Sequence, residues 1–234
     1  MSARRRAVLS LLACLPALPV LTSCSTPAQL LLAAIPDGTL ATLLGHFEKA
    51  ATVNRQRVAE LEHKGEWVEL AKFAEENLDK DRSSAPWWMV AGYAYSQQKQ
   101  HARAIQCFRE MVRLEPDAPD GWNLLAQEHL AIGEPRRAIS IIENALQILR
   151  DSPATLVILG DANSELRLHE PAARAYQQAL DMNGGLTQAW AGLARSHIQL
   201  GRMAEAENIA RAMDKSHPDL ATAIRREIEG AKPR

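Results

Sequence analysis

Cysteine is scarce in this chain, three residues in 234 at positions 14, 24 and 107, and that scarcity excludes a fold stapled by disulfides. Stability has to come from packing. Aromatic residues make up only 5% of the sequence, with three Phe and three Tyr, so each large ring is expected where packing demands one. Neither sign of charge is in excess. The 27 basic and 28 acidic residues give a formal net charge of −1, which leaves no electrostatic footprint for nucleic acid. The longest apolar stretch, Ala7 to Val20, falls short of the ~20 residues a membrane helix needs and is interrupted by Pro16 and Pro19. Gly-rich phosphate loops, His-Glu-x-x-His and the nucleophile elbow Gly-x-Ser-x-Gly are all missing. None of the seven histidines sits in a paired metal-ligand spacing. No cofactor, metal or small-molecule substrate is therefore expected, and the sequence points away from an enzyme. An Asp161/Glu165 pair, four residues apart, is the one alternative for catalysis.

What is abundant is repetition. A 34-residue unit runs four times in phase from Ala85, Pro119, Pro153 and Thr187, without insertion or deletion. Its fourth slot reads Trp88, Trp122, Leu156, Trp190, its eighth Gly92, Ala126, Gly160, Ala194, and its twentieth Ala104, Ala138, Ala172, Ala206. Slots four, seven, eight and eleven recur as i, i+3, i+4, i+7, the stripe of an amphipathic helix. Helices of about 13 residues are marginal alone in water and must be held by tertiary contact. Small residues at slots eight and twenty would let paired helices approach, with rings filling the spaces between. Cys107, beside the packing residue Phe108, reads as a small hydrophobe rather than a reactive thiol.

Period and pattern together resemble the tetratricopeptide repeat. In the first unit Trp88, Ala91, Gly92, Tyr95, Ala104, Phe108 and Pro116 match the family's slots, and the later units match nearly as well. The resemblance implies an all-α fold, a right-handed superhelical solenoid of antiparallel helix pairs. Units at 85–118, 119–152, 153–186 and 187–220 would follow an N-terminal helix and degenerate repeat at 39–84, with a capping helix and tail at 221–234. Leu40, Leu43, Leu44, Phe47, Ala51, Val58 and Leu61 read as one long amphipathic helix ending near Gly65. Leu220, Ala221, Ile224 and Ile228 give the capping stripe. A stack of this kind needs atypical ends.

The resemblance also implies a concave groove lined by slots two, five, nine and twelve, and a function in binding protein segments. By position the candidate contact residues are Met89, Tyr93, Asn123, Gln127, Leu130, Val157, Asp161, Arg195 and Ile198. Apolar residues and amides that the fold does not require would there face a partner segment with apolar anchors. The Lys and Asn clamp by which part of the family holds chaperone C-termini is replaced here by Met89, Tyr93 and Leu124.

Residues 1–23 read as an export signal. Arg4, Arg5 and Arg6 precede the apolar stretch, and Leu21-Thr22-Ser23-Cys24 resembles the bacterial lipobox, which implies acylation of Cys24 and a tether over 24–38. Ordinary cleavage near Ser23 is the alternative, and the Arg run leaves general secretory and twin-arginine export both open. Ser25 stands where an inner-membrane retention signal shows Asp, so the analogy points to a lipid anchor in the outer membrane, facing the periplasm. The apolar run Leu30–Ile35 would lie on the bilayer or dock on the solenoid. The expected protein is a scaffold of the pilotin or envelope-assembly kind; a structural lipoprotein without a specific partner is its rival.

Overall fold

The computed structural model describes Leu40, residues 54–149 and residues 152–231. Within them the chain forms eleven helices. They are α1 (Arg55–Lys64), α2 (Trp67–Leu78), α3 (Ala85–Gln97), α4 (His101–Leu114), α5 (Pro119–Ala131), α6 (Pro135–Ile148), α7 (Pro153–Glu165), α8 (His169–Met182), α9 (Thr187–Gln199), α10 (Met203–Met213) and α11 (Pro218–Ala231). The four full units start at α3, α5, α7 and α9, on the residues where the repeat begins. Pro119, Pro153 and Pro135 open their helices at a position where no donor is lost.

Each turn inside a helix pair closes in the same way. The fifteenth slot takes a left-handed backbone at Gly65, Lys99, Gly133, Arg167 and Gly201, with φ between 58° and 74°, and the next N–H reaches back to the slot-eleven carbonyl. Those bonds run from Glu66 to Leu61, Gln100 to Tyr95, Glu134 to His129, Leu168 to Asn163 and Arg202 to His197, at 2.8–2.9 Å. They satisfy carbonyls the helix end leaves free. The links between units are tied by the slot-four tryptophans, whose indole N–H donates to the backbone carbonyl six residues earlier. Trp88 bonds Arg82 at 2.9 Å, Trp122 bonds Pro116 and Trp190 bonds Gly184, both at 2.8 Å. These indoles are half-buried clamps on the inter-repeat loop rather than deep core residues.

The core runs along the stack. Ala104, Ala138, Ala172 and Ala206 at slot twenty are all fully buried, and slot eight is matched to slot twenty-four within a unit. A β-carbon on Gly92 would lie 2.5 Å from the Phe108 ring, and one on Gly160 would lie 2.5 Å from the Tyr176 ring. Ala126 faces the smaller Ile142 in the core of the second unit. Tyr176 is enclosed from the next unit as well, since a β-carbon on Gly192 of α9 would come within 2.4 Å of its ring. Among the described residues no helix is long and apolar enough to cross a membrane.

Both ends carry atypical elements. α11 buries Ala221, Ile224 and Ile228 against the last unit, and Arg225 grips Asp214 with two bonds of 2.7 and 2.8 Å and Glu207 with one of 3.1 Å. At the other end the helix expected to run unbroken from Leu40 to Gly65 differs. Asn54 has a non-helical backbone and its side chain accepts the Arg57 N–H at 3.1 Å, so α1 starts afresh at Arg55. Asparagine is among the favoured N-cap residues, since its side-chain oxygen satisfies one of the donors that a helix start leaves without a partner. α1 and α2 form the degenerate pair. The signal region, Cys24, the tether and Leu30–Ile35 lie outside the described residues.

Candidate functional site

From the second unit to the fourth, consecutive first helices α5, α7 and α9 touch one another, and more closely than the second helices do. That asymmetry puts the first helices on the inner side of the curve. Three polar links stitch this face across repeat boundaries. Ser96 donates its hydroxyl to Glu128 at 2.7 Å, and Glu128 also meets His101 Nδ1 at 2.5 Å. Thr155 donates to Asn123 at 2.8 Å and shares a 2.6 Å bond with Ser152. Gln188 donates to Asp161 Oδ2 at 2.9 Å, and Tyr176 donates to Oδ1 of the same carboxylate at 2.6 Å.

These contacts correct the expected exposure of the groove slots. Met89, Tyr93, Asn123, Gln127, Leu130, Val157 and Ile198 are all buried, Asp161 is partly covered, and only Arg195 is exposed. The reason is the narrow spacing of the first helices, which turns slots five and nine into the seam between repeats. In the first unit the degenerate pair adds a cover. Trp67 sets its ring edge-on to Tyr93 with centroids 5.8 Å apart, and Tyr93 is hydrogen-bonded to Glu62, which also accepts the Leu40 N–H at 3.0 Å. Burial pushes both the Glu62 carboxyl and the Tyr93 phenol upward. Arg195 reaches Glu227 of α11 at 3.2 Å. The inner face is thus filled at its N-terminal end and opens toward the fourth unit.

Between α5, α7 and the start of α9 a cavity of about 180 Å³ remains, lined by Gln127, Ala154, Val157, Ile158, Gly185, Leu186, Thr187 and Gln188. Gln127 and Val157 are the expected contact residues that it brings together. Ile158, Leu186 and Thr187 were missed, because they lie outside the four groove slots; the Gly184-Gly185 turn, which draws the start of α9 toward α7, was the available signal. The Gln127 side chain is only 3% exposed and its Oε1 has no hydrogen-bond partner.

Neither Asp161 nor Glu165, the pair that offered the alternative for catalysis, is an ordinary solvated acid. Glu165 is exposed yet partly desolvated at its carboxyl, which is raised for that reason. Asp161 is raised to about 6 by burial, opposed by the Tyr176 bond and reinforced by the neighbouring charge of Glu165. Both Asp161 oxygens are engaged, which makes it an anchor for Tyr176 and Gln188 rather than half of a working carboxylate pair. Its shift makes stability depend on pH. An unfolded aspartate loses its proton near pH 3.9, so between about 4 and 6 the folded chain holds more protons and is progressively destabilised as pH rises. Asp161→Asn is expected to remove this slope. Urea unfolding at pH 4.5 and 7.5 should show the parent losing about 2 kcal/mol relative to the variant over that interval.

Ser96, His101 and Glu128 bring together a hydroxyl, an imidazole and a carboxylate, but in the wrong order for nucleophilic catalysis. The acid lies between the serine and the histidine, so the imidazole does not reach the hydroxyl as it must in a Ser-His-Asp arrangement. Glu128 is completely buried, and the cluster is a polar bolt between the first two units. His129 is buried with Nδ1 2.8 Å from Glu134; His197, its counterpart two units on, is held below its ordinary pKa by burial. Cys107 is buried and pushed up to about 12 by desolvation, which keeps it a thiol. No group of three His, Cys, Asp or Glu among the described residues could hold a metal ion.

Two family models described as tetratricopeptide repeat match residues 85–128 and 165–226, and the chain carries such repeats. It is 26% identical over 157 residues to protein bimA of Emericella nidulans and 24% identical over 148 residues to anaphase-promoting complex subunit 7 of Arabidopsis thaliana. Those alignments cover 67% and 63% of this chain. They span only 15% and 26% of the relatives' own lengths. Among solved structures it is similar to PilW, described as a widely conserved type IV pilus biogenesis factor, with a TM-score of 0.63 and 14% identity over 79% of this chain and 91% of that one. YrrB, described as a tetratricopeptide protein with an unusual peptide-binding site, gives a TM-score of 0.56 and 14% identity over 80% and 98%. At these identities the likeness is one of fold. The chain has the fold of a tetratricopeptide solenoid.

Proposed function

We propose that the chain is a lipid-anchored adaptor of the bacterial cell envelope that holds a segment of a partner protein on the inner face of its last three units. The observation that carries this reading is the cavity of about 180 Å³ between the first helices of these units, lined by Gln127, Ala154, Val157, Ile158 and Leu186. In the first unit Met89 and Tyr93 are buried, with Trp67 of α2 against the Tyr93 ring, so the proposed contact lies on the second, third and fourth units. Residues 1–24 support the anchor, and the lipobox-like Leu21–Cys24 supports a periplasm-facing place at the outer membrane, where pilus, secretion or envelope assembly is the setting.

A photo-crosslinking amino acid at Ala154 or Ala191, both on inner-face slots, should capture a discrete protein in intact cells, while the same residue at the exposed Val68 of α2 should not. Equal capture from Val68, or none from the inner face, would reject the groove. Cys24→Ser should in parallel move the protein out of the outer-membrane fraction, and unchanged fractionation would reject the anchor.

A further inference from the structure

Antiparallel packing puts the turns inside the helix pairs along one edge of the stack and the links between pairs along the other. The two edges differ in charge. In the first three full units the turns and the helix starts that follow them carry Lys99, Arg103, Arg136, Arg137 and Arg167, against Glu134, Glu170 and, at the end of α7, Glu165. Glu134 and Glu170 are answered locally, by Arg137 and Arg202, each at 2.9 Å, and Arg103 lies over the Tyr95 ring. Lys99, Arg136 and Arg167 are exposed and enter no ion pair among the described residues. On the opposite edge the first link carries Glu115, Asp117 and Asp120 with no cation.

Two of the unanswered cations sit where the backbone disfavours them. Three of the five left-handed turn residues are Gly65, Gly133 and Gly201, but the other two are Lys99 at φ 59° and Arg167 at φ 58°. A β-carbon is crowded in that region, and glycine would hold the same turn without strain. A local rule broken at an exposed cation points to a use for the cation. Aliphatic side chains stand on the same edge, Val68 65%, Ile132 37% and Leu168 45% exposed. Cations alternating with aliphatic tips match the phosphate layer and acyl boundary of a bilayer, which accepts both without a shaped partner. Going beyond the adaptor reading, we infer that the turn edge of the first three full units rests on an anionic lipid surface. Lys99, Arg136 and Arg167 meet the phosphates, Ile132 and Leu168 meet the acyl boundary, and the inner face is left open to the side.

The test places a diazirine-bearing amino acid in the full chain at exposed Ala102, which holds the slot that Val68 holds in the degenerate pair, or at exposed Met182 on the opposite edge. Each protein is irradiated with vesicles of phosphatidylcholine alone or mixed with phosphatidylglycerol. Attachment through residues 1–24 would serve both positions alike, so the yield of lipid adducts reports which edge meets the bilayer. On the phosphatidylglycerol vesicles Ala102 is expected to give at least about tenfold more adduct than Met182, from three cations near an anionic surface. That excess should vanish on phosphatidylcholine alone and in high salt. Lys99→Gly combined with Arg167→Gly should lose it as well while melting no lower than the parent, because glycine relieves the left-handed backbone. Equal yields from the two edges would mean that the chain is only crowded against the bilayer by its N-terminus. An Ala102 excess that ignores the anionic lipid, or survives in the double glycine variant, would remove the cations from the contact. Protein adducts from Ala102 in intact cells, in place of lipid ones, would give the edge to an acidic protein. Each of these overturns the lipid contact, and none bears on crosslinking from the inner face.

Discussion

Tyr176→Ala is expected to cost about 3–5 kcal/mol, the usual range for emptying an aromatic site in a core, and Gly192→Ala about 1–3 kcal/mol through overpacking. The ring of Tyr176 is fully buried between two glycines of different units, with room for neither β-carbon. In an open helix the glycine change would have the opposite sign, because alanine is favoured over glycine by up to about 1 kcal/mol. Gly230 in α11 supplies that control: nothing lies within 4 Å of its would-be β-carbon, and Gly230→Ala should be neutral or mildly stabilising. Gly133 is equally open but sits at φ 73°, so Gly133→Ala should cost about 1 kcal/mol through backbone strain alone. Once Tyr176 is Ala, Gly192→Ala and Gly160→Ala should lose most of their penalty, since neighbours sharing one space are not additive. Chemical unfolding of these variants measures all of it. Equal midpoints for Gly192→Ala and Gly230→Ala would contradict the enclosed ring.

Much of this architecture was legible from the repeat itself. A 34-residue period with proline, alanine and ring residues at fixed slots determines where each helix starts and which faces pair, because those are local and nearest-neighbour properties. The break at Asn54 was not legible. Val58 and Leu61 continue the apolar phase of Phe47 and Ala51, and periodicity does not register a cap that falls between residues in phase. Nor was the burial of slots five and nine. Asn123, Gln127 and Asp161 read as solvent-facing amides and acid, and only the distance between consecutive first helices decides that they meet Thr155, the cavity and Gln188 instead. That distance is set by the curvature of the whole stack. One anomaly did lie in plain view: slot ten reads Ala94, Glu128, Ala162, Ser196, and an acid among small residues announces either an exposed position or a special partner.

The partner is special, and it leads to an asymmetric result. His101→Ala should destabilise the chain more than Glu128→Ala, although both remove the same 2.5 Å contact. Glu128 is completely enclosed, while His101 keeps 24% of its side chain exposed. Removing the histidine leaves a buried carboxylate with only the Ser96 hydroxyl to answer it, and an uncompensated buried charge costs roughly 3–5 kcal/mol; some solvent access through the vacated His101 position places the expected loss near the lower figure. Removing the glutamate instead restores the small residue that Ala94 and Ala162 carry at the same slot, and the imidazole left behind still reaches water. Its cost should stay at about 1–2 kcal/mol, mostly for the vacated volume and the lost hydrogen bond. The double variant should then be more stable than His101→Ala alone, giving a coupling of at least about 1 kcal/mol by double-mutant cycle. Additive single changes would mean that the carboxylate finds water without the histidine, and that the first two units are joined by apolar packing alone.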